Sequence, residues 1–522
     1  MSTALNPRDI LDRQLGRVTM YRLVTIVLAL LAVVMVVYTA AGTFTDPFTV
    51  KGELITLVVL VAASVVSSRL AGLAFRVRPH TESAVITGML LWFMFWPSTE
   101  VDDLLWLAVA ALLANLSKYV FAWRGRHVLN PAAAGAVLVI IAQDWAGRES
   151  SVNATWWIAA EKLLPFVAVG ALLVLWRTRR LDVGLLFVVL AYVLCVWGVT
   201  EGFGSPFDES LKTVAYSFPI VFMAGFMVSE PLTLPPRRLQ QLVVALVMAA
   251  CLSYGSFMSI FDQTAPSIGV VSLGLPEVAL LVGNLVAFAF ARRRGLSFEL
   301  EQTRQLSPET HELMFRSRRT VPFTPGQYVE LTLPHAGMDS RGARRTFSIS
   351  SPPDDEGRFS FALRVPEKSS SFKKALLALE PGDAVHGTGV GGDFVWPSDP
   401  DVPLLLVAGG IGITPFLSQL RHESARDAVL VYGASSADEV PFTEELAGVR
   451  VVLVCPQRPA SLPEGWTYVE APFLSAEIVA AAVPDLAGRR AYVSGPPAMV
   501  NAVRADLKKR CVSIKTDYFS GY

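Results

Sequence analysis

The chain changes character near residue 295. Residues 20–292 are dominated by long apolar runs, whereas residues 297–522 have the mixed composition of a water-soluble protein. In lipid a chain must satisfy its own backbone hydrogen bonds, so long apolar runs of this kind can fold only as helices. The runs fall near 21–41, 54–74, 83–97, 103–122, 129–143, 157–176, 181–199, 214–229, 239–258 and 270–291, about ten spans. The third, fifth and eighth are nearer fifteen residues than the roughly twenty of a full crossing, and read as half-helices or re-entrant segments.

Loop charge gives the orientation. Arg13, Arg17 and Arg22 precede the first run. Arg69, Arg76 and Arg78 flank the end of the second, and Lys118, Arg124 and Arg126 the end of the fourth. Arg177, Arg179 and Arg180 follow the sixth, Arg237 and Arg238 the eighth, and Arg292, Arg293 and Arg294 the tenth. Alternate loops are acidic or neutral, with Asp46 and Glu53, Glu100 to Asp103, Glu201, Asp208 and Glu209, and Asp262. Basic loops stay on the cytoplasmic side. Ten crossings then put both termini in the cytoplasm of a multi-pass inner or plasma membrane protein. The first run is too long for a signal-peptide core and reads as a span.

Several functions are disfavoured. The formal net charge is zero, with no basic-aromatic stripe for nucleic acid. Cys195, Cys251, Cys455 and Cys511 are scattered, with no spacing for a zinc ribbon, an iron–sulfur cluster or a disulfide framework, so no metal site is expected. The apolar half holds only His80 and His127, both in cytoplasmic loops, which argues against haem held between helices.

Two polar insertions interrupt this half: Arg126-His127-Val128-Leu129-Asn130-Pro131-Ala132-Ala133-Ala134-Gly135 and Phe226-Met227-Val228-Ser229-Glu230-Pro231-Leu232-Thr233. They occupy corresponding positions in two five-span halves. Paired short, proline-broken segments point to a site near the bilayer midplane; a proline starting the next helix is the plainer alternative. The span pattern with the Asn-Pro-Ala-Ala and Met-x-Ser-Glu-Pro segments resembles the membrane flavoprotein subunit of the Rnf complex and of the sodium-pumping NADH:quinone reductase. The resemblance implies a second, membrane-domain flavin. The Ser/Thr-Gly-Ala-Thr sequence to which that family esterifies FMN is absent, so Thr200, Thr213 and Thr233 are not assigned as attachment points and a non-covalent flavin is left open.

After Arg294 the pattern turns to short alternating strands near 297–305, 311–317, 327–333, 345–351, 358–365 and 384–390, which fit a small antiparallel β-barrel. From 403, apolar strands such as 403–408, 428–432 and 451–454 alternate with helical stretches, as in an α/β doubly wound sheet. The expected domains are a polytopic α-helical membrane domain over 1–295, a barrel over 296–400 and a nucleotide-binding domain over 401–522.

Four motifs occur here in order. In Arg345-Thr346-Phe347-Ser348 a strand can aim a guanidinium at a diphosphate, a ring at a flavin and a hydroxyl at its N5. The turn Pro325-Gly326-Gln327-Tyr328 leads into the preceding strand. Lys368-Ser369-Ser370-Ser371-Phe372 opens a helix whose free N–H groups and hydroxyls suit phosphate. Gly409-Gly410-Ile411-Gly412-Ile413-Thr414-Pro415 follows a strand; its glycines admit a pyrophosphate, Thr414 can cap the next helix and Pro415 fits its first turn. Ser494-Gly495-Pro496-Pro497 follows another strand and would face the nicotinamide. The tail Asp517-Tyr518-Phe519-Ser520-Gly521-Tyr522 ends on aromatics that could stack on the flavin.

These motifs resemble the ferredoxin–NADP⁺ reductase superfamily. The resemblance implies that Arg345, Thr346, Phe347, Ser348, Ser370 and Ser371 hold FAD, that Gly409, Gly410, Gly412 and Thr414 hold the dinucleotide, and that Gly495 and Pro496 frame the nicotinamide. Ser348, Ser494 and Tyr522 are the candidate catalytic residues; Ser494 stands where that family often has cysteine. After Tyr432 the segment 433–436 offers no base for a 2′-phosphate, and Asp438 and Glu439 would repel one, which favours NADH over NADPH. The expected function is a membrane-bound flavin oxidoreductase. It takes a hydride from cytoplasmic NAD(P)H onto FAD and passes electrons to or through its membrane domain, toward a quinone or an extracytoplasmic redox protein. An ion-coupled or small-molecule transporter with a regulatory or electron-donating reductase domain is the rival.

Overall fold

The computed structural model describes residues 20–75, 79–123, 126–148, 152–235, 237–290, 295–317, 320–339, 343–354 and 356–519. The chain divides into two compact units, one within residues 18–292 and one within 293–522.

The first unit is helical. Its elements are α1 (Met20–Ala40), α2 (Val50–Ala74), α3 (Thr81–Met94) and α4 (Val101–Val120); a hairpin of β1 (Ala122–Trp123) and β2 (Arg126–His127); α5 (Pro131–Trp145), α6 (Leu164–Arg177), α7 (Leu181–Phe203) and α8 (Phe207–Ser217); and α9 (Ile220–Val228), whose last five residues are π-helical. After these come α10 (Arg238–Ser259), a hairpin of β3 (Ser267–Ile268) and β4 (Val271–Ser272), and α11 (Pro276–Phe290).

Five of these helices, α1, α2, α4, α7 and α10, are long and apolar enough to cross a membrane among the described residues; α8 and α9 form a pair bent by 44°. Of the ten expected spans, these are the ones with full spanning length. Ten apolar segments exist, but α3, α5, α6 and α11 have only 14 or 15 residues. The run at 157–176 is cut because Trp156 takes a left-handed conformation before a 3-10 turn at Trp157–Ala159. The run at 270–291 begins inside the β3–β4 hairpin. Small residues let the helices approach. A Cβ on Gly135 would lie 2.6 Å from the Ala114 Cβ, so α5 packs its backbone against α4.

The second unit holds two sheets. The first contains β5 (Gly295–Gln305), β6 (Thr310–Ser317), β7 (Tyr328–Thr332), β8 (Arg344–Ser348), β9 (Arg358–Arg364) and β10 (Ala384–Gly391), with α12 (Ser371–Leu377) between the last two strands. The sheet is antiparallel, in the order β8-β7-β10-β5-β6-β9. Its end strands curl toward each other: just past β8, the Ser350 N–H donates to the Ser360 carbonyl of β9 at 2.8 Å. Alternation fills the interior. Phe298, Phe315, Phe359 and Phe361 are buried, with the Phe298 and Phe359 rings 5.1 Å apart. Each such side chain contributes about 1.5–3 kcal/mol of burial.

The second sheet contains β11 (Leu404–Gly409), β12 (Ala428–Gly433), β13 (Arg450–Cys455), β14 (Thr467–Glu470), β15 (Arg490–Gly495) and β16 (Ser513–Tyr518). All of its pairings are parallel, in the order β14-β13-β12-β11-β15-β16. Strands covered on both faces read as unbroken apolar runs, as in Leu404-Leu405-Leu406-Val407. The helices α13 (Thr414–His422), α14 (Ala476–Ala482) and α15 (Pro497–Arg510) complete the unit. The strand order reverses between β11 and β15. That switch point opens a crevice beyond their carboxyl ends, where α/β sheets bind ligands.

Candidate functional site: the switch-point crevice and the Arg345 cluster

Three glycines shape the crevice. Gly409 ends β11, and a Cβ there would lie 2.5 Å from the Met499 Sδ. A Cβ on Gly412 would lie 2.5 Å from the Ser494 carbonyl oxygen and 2.7 Å from the Gly495 Cα, so the loop after β11 rests on the backbone that ends β15. Gly410 differs: its φ is +52° and nothing lies within 4 Å of its Cβ position, leaving its backbone bare toward the crevice. The loop itself is a 3-10 turn, Gly410–Ile413.

Thr414 does not cap α13 as the sequence suggests. The preceding 3-10 turn makes Ile413 the cap position, and the Thr414 hydroxyl instead donates to the Ile411 carbonyl at 3.1 Å. Pro415 does sit in the first turn. Ser494 is fully buried and its hydroxyl finds no partner among the described residues. Pro496 occupies the cap position of α15. The C-terminal strand runs beside this corner, with Gly495 paired to Tyr518 and the Phe519 N–H donating to the Gly495 carbonyl at 2.9 Å. Tyr522 lies outside the described residues.

The second cluster forms where β8 meets α12. Arg345 and Phe347 share one face of β8 and are both buried, whereas Thr346 is exposed on the other face. The Arg345 guanidinium lies 5.3 Å from the centroid of Phe372, and Phe347 stacks on the same ring at 6.0 Å with planes 25° apart. Ser370 caps α12, accepting from the Lys373 N–H. Ser371 bonds His335 through its hydroxyl at 2.9 Å. Asp339 gathers the same groups: its carboxylate accepts from the Ser371 N–H at 3.1 Å and from Arg345 at 3.5 Å. An arginine fork, a backbone N–H and hydroxyls are the donors a diphosphate takes, so the residues fit one. Ser348 pairs with Tyr328 across β7 and lies off the Arg345–Phe347 face. Sequence reasoning brought together Arg345, Phe347, Ser370 and Ser371, with Phe372 only as the end of their stretch, but missed Asp339 and His335, which carry no motif of their own.

Helix α13 ties the two clusters together. Ser418 donates to the Ser351 carbonyl at 2.7 Å and Arg421 to the Ser350 carbonyl at 2.9 Å, both just past β8. Gln419 donates to the Phe394 carbonyl at 2.8 Å. Glu312, almost fully buried, binds both Arg304 and Arg421, and Glu445 binds the same pair. Hydrogen bonds to Arg304 and the neighbouring arginine charges hold the Glu445 carboxyl below its ordinary value despite burial. One argument for NADH is also altered. Glu439 turns into the barrel, accepting from Ser307 at 2.7 Å and from the Glu309 N–H at 3.1 Å, so only Asp438 stands exposed after β12.

The helical unit has a pocket of its own, enclosing about 640 Å³ of free space including its open mouth. Both proline-broken segments line it: Asn130, Pro131 and Ala132 on one side, and Ser229, Glu230 and Pro231 on the other. The Glu230 carboxylate sits among His127 (3.1 Å), Asn130 (3.2 Å) and Thr233 (3.4 Å). The Asn130 N–H is held by Asn284 at 2.7 Å.

Comparison with known proteins bears on the second unit. Residues 406–505 match the oxidoreductase NAD-binding domain family. The reductase subunit of an aromatic O-demethylase from Amycolatopsis is 28% identical over 235 residues, 42% of this chain and 67% of that protein. Ferredoxin–NADP reductase B of Sorangium cellulosum is 33% identical over 153 residues, 28% of this chain and 61% of that one. NADH-cytochrome b5 reductase 1 of Cryptococcus neoformans is 25% identical, over 45% of this chain and 87% of that one. The second unit is an FAD- and NAD(P)-binding reductase module. The chain spans about two thirds of the length of the first two of these relatives. Among solved structures, a ferredoxin NADP⁺ reductase from Neisseria gonorrhoeae with bound FAD and NADP aligns with TM-score 0.37 and 17% identity, over 44% of this chain and 99% of that one.

Proposed function

We propose that this protein is a membrane-bound NAD(P)H oxidoreductase whose reductase module feeds electrons to an acceptor seated in the pocket of the helical unit. The observation that carries the reading is the convergence of Asn130-Pro131 and Ser229-Glu230-Pro231 on one pocket, in a chain that also holds an oxidoreductase NAD-binding domain. Ten apolar segments are more than an anchor needs.

In the module, Arg345, the Ser371 N–H and the hydroxyls beside it would hold the FAD diphosphate, at donors that the Asp339 carboxylate now engages. Gly410 and Gly412 let the dinucleotide approach the end of β11, and Gly495 and Pro496 frame the nicotinamide. Ser494 orients the hydride donor from the wall of the crevice. Bound FAD supplies the chemistry, accepting a hydride and releasing electrons one at a time. The acceptor is a quinone or an extracytoplasmic redox protein reached through the helical unit. The resemblance of that unit to the Rnf and sodium-pumping reductase subunits supports a second flavin there. NADH is the favoured donor, since 433–436 holds no base.

A flavin count on detergent-purified protein tests this, made on the whole chain and on residues 295–522 alone. Flavin in the whole chain beyond the FAD of the fragment supports an electron path through the helical unit. A single FAD in both, with substrate flux that needs no NAD(P)H, favours the transporter.

A further inference from the structure

We propose that Glu230 and His127 deliver protons to the pocket of the helical unit, serving a redox-active ring that takes up protons as it is reduced. The inference rests on the reading that this pocket seats the electron acceptor. Glu230 lies in the pocket wall. His127 belongs to the β1–β2 hairpin, outside the helices, and its Nε2 stands 3.1 Å from the Glu230 Oε1. The two form a continuous step from that hairpin to the pocket.

The partners of Glu230 decide what it can do. Among the described residues no lysine or arginine contacts it. Lys118 is near enough to act through its charge, but its ammonium is engaged by the Ser83 carbonyl at 3.2 Å, the Ser83 hydroxyl and Asn115 at 3.1 Å. The carboxylate faces an imidazole, an amide and a hydroxyl instead. A carboxylate locked to arginine is committed to that ion pair, whereas a hydrogen-bonded imidazole is a partner that can carry a proton. Tyr21, which lines the pocket, and His80, tilted against it with ring centroids 4.7 Å apart, are the other titratable groups nearby. The rest of the lining includes Val24, Leu90, Val174 and Phe226, which suits an apolar ring with one polar edge.

The step balances. Two electrons come from NAD(P)H through the module. The ring accepts them with two protons, one at each of two atoms: both carbonyls of a quinone become O–H, or two ring nitrogens of an isoalloxazine become N–H. Glu230 gives up a carboxyl proton to the atom it faces and is reprotonated by His127, which draws on bulk water; the second proton comes either from a second turn of the same pair or from water at the pocket mouth. A quinone and an isoalloxazine share this chemistry.

The test uses the full chain in nanodiscs, mixed with NADH with and without decylubiquinone, comparing wild type, Glu230→Gln and His127→Gln. Bleaching of FAD should stay within about twofold in all three, which checks folding and the module. With decylubiquinone, Glu230→Gln should slow quinone reduction by about a hundredfold and flatten its pH profile, while His127→Gln slows it less and recovers with added imidazole. If instead only a second, protein-bound isoalloxazine is reduced, the same pattern should appear in its bleaching, and that arm identifies the ring as flavin. A wild-type rate and pH profile in Glu230→Gln would overturn the proposal, leaving the pair as a brace for the turn. Loss of decylubiquinone binding in Glu230→Gln, read from tryptophan quenching, would also overturn it by making Glu230 a ligand contact. If wild type reduces neither ring, the seating of an acceptor in this pocket is itself wrong, and the proposal falls with it.

Discussion

Ser494, at the end of β15, carries a buried hydroxyl with no partner among the described residues, beside the nucleotide crevice. An unsatisfied buried hydroxyl costs roughly 1–3 kcal/mol, so Ser494→Ala should leave the melting point of the module unchanged or raise it. If the hydroxyl orients the nicotinamide, the same substitution should slow the bleaching of FAD by NADH about tenfold, the equivalent of one hydrogen bond of about 1.4 kcal/mol. A stopped-flow rate equal to wild type would remove Ser494 from the reaction. Asp517, its register neighbour on β16, makes a pH-dependent contribution. Burial pushes its carboxyl up to about 6, the Asp393 carboxylate adds to the shift, and the hydrogen bond to the Tyr518 backbone opposes it. The folded state therefore favours the protonated form. Its stability is greatest below the unfolded value of about 4 and falls as pH rises toward 6, by about 1–2 kcal/mol after allowing for partial exposure. Asp517→Asn should raise the melting point at pH 8, read by release of flavin fluorescence, and leave it unchanged at pH 4.

At the scale of elements, the close approach of the β11 loop to the end of β15 is the feature most sensitive to a single methyl group. The Cβ of Gly412→Ala would run into the backbone that ends β15, at the Ser494 oxygen and the Gly495 Cα, and backbone cannot swing aside. We expect a loss of about 1–3 kcal/mol in stability and a rise of more than about tenfold in KM for NADH. Gly488→Ala, with nothing within 4 Å of its Cβ, is the silent control. This pair of loops was legible in the sequence because a glycine cluster between an apolar strand and a proline-started helix has few other uses. The six barrel strands were legible for a related reason, since alternation such as Phe298-Glu299-Leu300 is tied to the pleat. The breaks at Trp156 and in the β3–β4 hairpin were not legible. Apolar content reports what the surroundings dissolve, not which backbone hydrogen bonds form, and both breaks lie inside apolar runs. Asp339 was equally hidden: a lone acid gains meaning only when folding brings it to Ser371 and Arg345.

For the whole molecule, loop charge favours crossing by the short helices. If only the five long helices and the bent α8–α9 pair crossed, the segment that holds Arg179 and Arg180 would face outward, and the loops with Asp208 and Asp262 would face the cytoplasm. That reverses the positive-inside bias at each of those loops. If α3, α5, α6 and α11 also cross, every basic loop faces the cytoplasm, where Arg22 bonds Glu82 at 3.3 Å and Arg238 bonds Asp182. Both schemes leave the reductase module in the cytoplasm with its NAD(P)H, so activity cannot separate them; the loops can. In a chain whose four cysteines are replaced by alanine, Asp208→Cys and Asp262→Cys should react with a membrane-impermeant maleimide in intact cells, and Arg180→Cys only after permeabilisation. The opposite labelling would reduce the crossings to six. The two proline-broken segments would then both lie on the outer side of the membrane, together with the pocket they line. Labelling as expected makes the short helices true crossings of a locally thinned or protein-lined path, in which 14 or 15 residues suffice because their ends meet polar groups such as Asn130 and Glu230 instead of lipid.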